Sequence, residues 1–209
     1  SRGRGPSAGP IDPESVYWSK KTLINTKTSS TGYLKADGTP SKMQVSNNVF
    51  STPIGYFNRI KSLGVDLPCR LSHYTSSHMK EYEGVIPYIE QIGSIYRELN
   101  KDAYDHQMER AMKRPQFRIG DTPFSTVTVN RTFRTGLHQD AGDYGGVACL
   151  SVLEHGEYGG GVLLFPAYGI GVDLRAGDML VADVHQWHAN TEMWSTPEQD
   201  ARNALLPKI

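Results

Sequence analysis

Within FRTGLHQDAGD, residues 133–143, an imidazole and a carboxylate stand one residue apart at His138 and Asp140. Further along, GDMLVADVHQWHAN, residues 177–190, supplies two more imidazoles, His185 and His188. Residues two apart on an extended strand project to the same side, so His138 and Asp140 can bind one ion together. A third ligand from a distant strand completes two histidines and one carboxylate on one face of a metal. That set leaves the opposite coordination positions open, as a ferrous centre requires if it is to take an organic co-substrate and dioxygen side by side. A His-x-Asp triplet is common by chance and carries little weight alone. His73, His78, His106 and His155 have no partner at ligand spacing and read as structural.

The elements that must position these groups are legible around them. STVTVNRTF sets Thr126, Thr128, Asn130 and Thr132 against Val127, Val129, Arg131 and Phe133, the period of two of a half-buried strand. VACLSVL, GGVLLFP, GIGVDL and DMLVADV follow as short β-rich runs separated by Gly, Asp and Pro. Short strands punctuated by turns imply a sandwich or barrel. Upstream, Val85, Tyr88, Ile89, Ile92, Ile95, Tyr96 and Leu99 recur at helical spacing, with Pro87 acceptable in a first turn that begins near it. A second helix is expected over 103–113, stopped by Pro115. Its end carries Arg110, Lys113 and Arg114, with Arg118 soon after, and positive charge there suits any helix C-terminus.

The 209 residues suffice for one domain with a substantial core, and the formal net charge is zero. No global basic balance marks a nucleic-acid binder, so such a role must rest on local Lys and Arg. Cys69 and Cys149 form no CxxC pair, which argues against a disulfide framework and a cysteine-ligated zinc, and for a reducing intracellular compartment. No apolar run approaches the roughly 20 residues that span a bilayer, and no apolar signal core follows the N-terminus. The chain is expected to be soluble and to have no membrane partner. Nothing points to a protein partner. SRGRGPSAGP opens a segment, 1–12, that reads as a flexible tail, and residues 11–60 interleave aromatics with lysines, as a covering layer or a stacking surface would. The remainder, 13–209, is expected to be a single domain. In it, 13–118 forms a mixed loop and helical cover and 119–209 the barrel core.

FSTVTVNRTFRTGLHQDAGDYGG and LSVLEHGEYGGGVLLFPAYGIGVDLRAGDMLVADVHQWHAN together closely resemble the catalytic core of the ten-eleven-translocation and base-J-binding-protein family. These are iron and 2-oxoglutarate dependent oxygenases that oxidise the methyl group of thymine or 5-methylcytosine in nucleic acid. The likeness is stronger to the J-binding branch, since this chain lacks a cysteine-rich extension, and it extends weakly to PCRLSHYTSSH and the helix after it. The resemblance implies a mainly β fold with flanking helices, a double-stranded β-helix or jelly-roll barrel of the cupin kind. It implies Fe(II), 2-oxoglutarate and O2 as cofactors, DNA as the partner with its target base flipped out, and a nuclear location if the host is eukaryotic. His138, Asp140 and, in the WHAN context, His188 match the metal ligands, with His185 the competitor for the last position. Asp143 matches an acidic position that faces the target base, although DAGD also suits a turn. For the far carboxylate of 2-oxoglutarate the family uses an arginine after the distal histidine, where this chain offers Arg202, with Arg134 or Arg131 as substitutes. Tyr144 and Trp187 are stacking candidates for an extruded base. Two other readings use the same residues: a small-molecule or peptidyl hydroxylase, and a catalytically silent barrel that binds nucleic acid.

Overall fold

Short β-rich runs bury their backbone polar groups by pairing, and in the computed structural model every strand pair is antiparallel. The structure describes residues 22–24, 32–34, 40–41, 50–62, 64–131, 135–140 and 145–207. The tail assigned to 1–12 lies outside them.

Among the described residues the first elements are three strands, β1 (Thr22–Ile24), β2 (Gly32–Leu34) and β3 (Pro40–Ser41), paired in order. The long strand β4 (Phe50–Phe57) leads into a hairpin of β5 (Ile60–Ser62) and β6 (Val65–Leu67), then β7 (Arg70–Leu71). Three helices follow, α1 (His73–Ser77), α2 (Met79–Leu99) and α3 (Lys101–Ala111). The chain then returns to strand as β8 (Thr126–Arg131), which lies along β4 in a sheet ordered β7-β4-β8. Beyond it come β9 (Ala148–Ser151), β10 (Gly159–Gly160), β11 (Leu163–Phe165), β12 (Ile170–Val172), β13 (Met179–Ala182), β14 (Ala189–Asn190) and β15 (Met193–Trp194). These pair as β13-β9, β12-β11-β14 and β10-β15, and α4 (Pro197–Asn203) follows. Each β-rich run read downstream of residue 124 is a strand.

The helix α2 holds the sheets from one side. Tyr82 and Ile89 join Ile54 of β4 and Ile119 in a buried cluster, with Val85, Ile86, Phe124 and Val127 against it. At its far side the Tyr88 hydroxyl meets Ser151 Oγ of β9 at 2.8 Å. Tyr96 is fully buried and packs edge-on to Tyr104 of α3, while Leu99, expected on the apolar stripe, is 61% exposed. Gly93 lets the helix approach closely, since a Cβ there would stand 3.0 Å from Thr122 Cγ2.

Pro87 is not in the first turn. The helix begins eight residues earlier, at Met79, and Pro87 is internal. The missing N–H removes the bond to the Glu83 carbonyl, but both residues lie on the exposed face, where water can take that carbonyl. The second helix starts at Lys101, capped by Asn100, whose side-chain oxygen accepts from the Ala103 N–H at 3.2 Å. Arg118 folds back onto Asp121 and the Thr122 carbonyl. The alternation read in β8 is only partly expressed, because Val127 packs on the core but Val129 is 42% exposed.

Both cysteines are free. Among the described residues no helix is long and apolar enough to cross a membrane.

Candidate metal centre

His138 and His188 meet as an isolated antiparallel bridge, each donating its backbone N–H to the other's carbonyl at 2.9 Å. Their rings lie 4.2 Å apart between centroids. His138 and Asp140 do not belong to a regular strand, so the same-side argument holds only for a short extended stretch. Asp140 Oδ1 nevertheless stands 3.5 Å from His138 Nε2. One ligand atom from each of His138, Asp140 and His188 lies within 4.8 Å of the others, and these three form the cation-competent cluster found among the described residues.

The ring tautomers suit this use. His138 Nδ1 lies 2.8 Å from the Gly136 carbonyl and His188 Nδ1 lies 2.9 Å from that of Gln186. A carbonyl can only accept, so each Nδ1 carries the proton and each Nε2 keeps a free lone pair for a metal. His188 is buried, with Phe165 6.1 Å from it between ring centroids, while His138 and Asp140 are about one-third open to solvent. One wall is therefore closed and the other is accessible. The donor set of two neutral imidazoles and a carboxylate fits a ferrous ion with open positions.

The register explains why His188 and not His185 reaches the cluster. Opposite the His138–His188 bridge, a regular ladder would bring Asp140 against Gln186. The Asp140 N–H instead donates to the Val184 carbonyl at 3.0 Å, so the chain between Val184 and His188 is looped out of the ladder. His185 sits in that loop. Its Nδ1 and its backbone N–H both donate to Asp183 Oδ1, at 2.9 and 3.0 Å.

The remaining site residues read from sequence divide in two groups. Arg134, Asp143 and Tyr144 lie outside the described residues. Arg202 sits in α4, where its Nε and Nη2 donate to the two oxygens of Glu157 at 2.7 and 2.5 Å. The Nε–Nη2 edge of Arg202 is thus already used in a two-pronged carboxylate contact, and this pair holds the Glu157 carboxyl below its ordinary range. Trp187 is 49% exposed.

Sequence reasoning passed over Asp183, Gln186 and Asn190. The Asn190 side chain accepts the Thr135 N–H at 2.7 Å, and Gln139 donates to the His185 carbonyl at 2.6 Å. Asp183 takes hydrogen bonds from the Gln186 side chain and from the backbone and ring of His185, which lower its pKa. An aspartate two residues before a polar turn was the available signal, since its carboxylate commonly caps the N–H groups that follow.

Residues 52–206 match the sequence profile of Tet_JBP, described as the oxygenase domain of the 2OGFeDO superfamily. The chain belongs to this family. Among curated relatives of the domain is thymine dioxygenase JBP1 of Trypanosoma brucei brucei, 39% identical over 140 residues, which are 66% of this chain and 16% of that protein. The protein of the same name in Leishmania infantum is 34% identical over 140 residues, 66% of this chain and 17% of its own length. In Crithidia fasciculata it is 31% identical over 172 residues, 79% of this chain and 21% of its own. The Tet_JBP domain thus aligns with about a fifth or less of each of these relatives. No solved structure matches. Family membership makes the domain an oxygenase of the iron and 2-oxoglutarate superfamily, and the triad lies well inside the matched residues.

Proposed function

We propose that this domain hydroxylates the 5-methyl group of thymine in DNA, using Fe(II), 2-oxoglutarate and O2. The observation that carries the reading is the grouping of His138, Asp140 and His188, with both imidazole Nδ1 atoms committed to carbonyls and both Nε2 atoms left for a metal. The superfamily supports the cofactors, and the activity printed in the relatives' names supports thymine as the substrate. The antiparallel pairs β13-β9, β12-β11-β14 and β10-β15 are consistent with the two faces of a double-stranded β-helix. The domain would run from 13 to 209, with 13–118 as cover and 119–209 as barrel, in one nuclear protein if the host is eukaryotic.

Bound iron and 2-oxoglutarate would supply oxidative decarboxylation coupled to insertion of one oxygen atom into a C–H bond. The chain's own work is binding and positioning. His138, Asp140 and His188 would hold the metal from one side. Phe165 and Val184, both buried, close that side to water. A methyl group in the major groove is poorly placed for an enclosed site, so the base would leave the stack. Asp143 would then accept a hydrogen bond from the ring N–H of thymine. The far carboxylate of 2-oxoglutarate requires a guanidinium; Arg202, whose Nε–Nη2 edge holds Glu157, would offer its other edge or release Glu157, and Arg134 is the other residue proposed for it.

The test is nucleoside mass spectrometry after incubation with ferrous iron, 2-oxoglutarate and duplexes carrying thymine alone or 5-methylcytosine, with His138→Ala as control. One oxygen gained on thymine, dependent on 2-oxoglutarate and absent in the variant, is the expected result. Oxygen on 5-methylcytosine alone would transfer the reading to that base. Succinate formed without any oxidised base would sink the DNA substrate.

A further inference from the structure

We infer that Asp183 is a positioning residue for the metal centre, acting through the carbonyl that sets the tautomer of His188. The inference rests on the metal-centre reading above. It begins from the loop that interrupts the ladder between Val184 and His188.

That loop touches both ligand segments. Its Gln186 carbonyl accepts the His188 Nδ1–H, its Val184 carbonyl accepts the Asp140 N–H, and its His185 carbonyl accepts from the Gln139 side chain. A loop outside a ladder has no neighbouring strand to hold these carbonyls in place. Asp183 does so instead. Oδ1 accepts the His185 N–H and ring Nδ1–H, Oδ2 accepts the Gln186 side chain at 3.1 Å, and the Asp183 carbonyl accepts the Gln186 N–H at 3.2 Å. Gln186 is thus held at its N–H and at its side chain, one link from the carbonyl that faces His188. If that carbonyl turns away, the His188 ring loses the bond that keeps its proton on Nδ1. The other tautomer places the proton on Nε2, the atom that must ligate. Asp183 does not touch the ligand atoms, so its effect must pass through Gln186.

The experiment compares the full chain with Asp183→Ala and Asp183→Asn in two ways. The His188 tautomer is read without metal from long-range nitrogen–proton couplings in 15N NMR. Affinity for Co(II), a spectroscopic stand-in for ferrous iron, is read from its visible absorption bands in a titration. The expected result is an Nδ1–H tautomer in the parent, a mixture in Asp183→Ala, and Co(II) affinity reduced by roughly 10-fold to 100-fold, the range for loss of a partner that orients a metal ligand. Asp183→Asn keeps one acceptor oxygen and should fall between; if Asp183→Ala does not fold, Asp183→Asn is held to the same direction. An unchanged tautomer, or Co(II) affinity within twofold of the parent, overturns the inference. A parent chain with no saturable Co(II) binding overturns the metal-centre reading itself, and the inference with it.

Discussion

His138 and His188 exchange both of their backbone hydrogen bonds, at 2.9 Å each, although fifty residues separate them. The two proposed metal ligands are therefore registered by main chain, and their side chains can be removed without cutting the bridge.

From that follows a contrast between neighbouring histidines. His188→Ala should abolish saturable Co(II) binding and lower base oxidation by more than about 100-fold, since even partners outside the ligand set are worth roughly 10-fold to 100-fold. His185→Ala should retain metal binding, weakened by no more than the loss of its contacts to Asp183. Equal loss in both variants would show that the looped segment, and not His188 alone, supplies the third ligand.

Arg202 and Glu157 give a second test, of co-substrate anchoring. Because the Nε–Nη2 edge of Arg202 already grips Glu157, Arg202→Ala is expected to leave the KM for 2-oxoglutarate unchanged, as is Glu157→Gln. An anchoring arginine would behave otherwise: its loss would raise that KM at least tenfold, and freeing it from Glu157 would lower it. The pair also responds to acid. The Arg202 hydrogen bond lowers the folded-state pKa of Glu157 below its unfolded value, so the stabilisation is present above that unfolded value and is lost as pH falls through the folded one.

The buried face of α2 offers a test of stability. Gly93→Ala gains about 1 kcal/mol of helix propensity, but overpacking a core costs roughly 1–3 kcal/mol. Thr122 decides the sign. It is fully buried and its hydroxyl bridges the Ile119 carbonyl and the Phe124 N–H, so it cannot easily yield the 3.0 Å contact. Urea denaturation should show a net loss of about 1 kcal/mol.

Tyr96 and Cys149 define the alkaline limit. Burial raises both to about 12, and the Tyr96 hydroxyl is buried without a hydrogen-bond partner among the described residues. Each group is neutral in the folded protein at a pH where the unfolded chain has ionised. Stability should accordingly fall as pH rises from about 9 toward 12, beginning with the unfolded-state thiol. Tyr96→Phe removes the unpaired hydroxyl, so its melting temperature should equal or exceed the parent's at neutral pH, and its alkaline decline should be shallower. A drop of several degrees at neutral pH would mean that the hydroxyl has a partner.

Much of this protein is written locally. Residue type alone marked His138, Asp140 and the pair His185 and His188 as ligand candidates, because metal chemistry depends on which donor atoms are present. The runs after residue 124 showed as strands because β-branched residues and Gly, Asp or Pro turns act within a few positions. The start of α2, the interior place of Pro87 and the exposure of Leu99 were not legible. They depend on which helix face meets β4 and the loop at Thr122, and that is a contact between distant segments. The choice between His185 and His188 was hidden for the same reason. It turns on a ladder that slips between Val184 and His188, and a slip in pairing leaves no mark on either segment alone. Asp183 likewise reads as an ordinary turn residue in sequence; only the folded chain sets the carbonyls of its loop against the residues proposed to hold the metal.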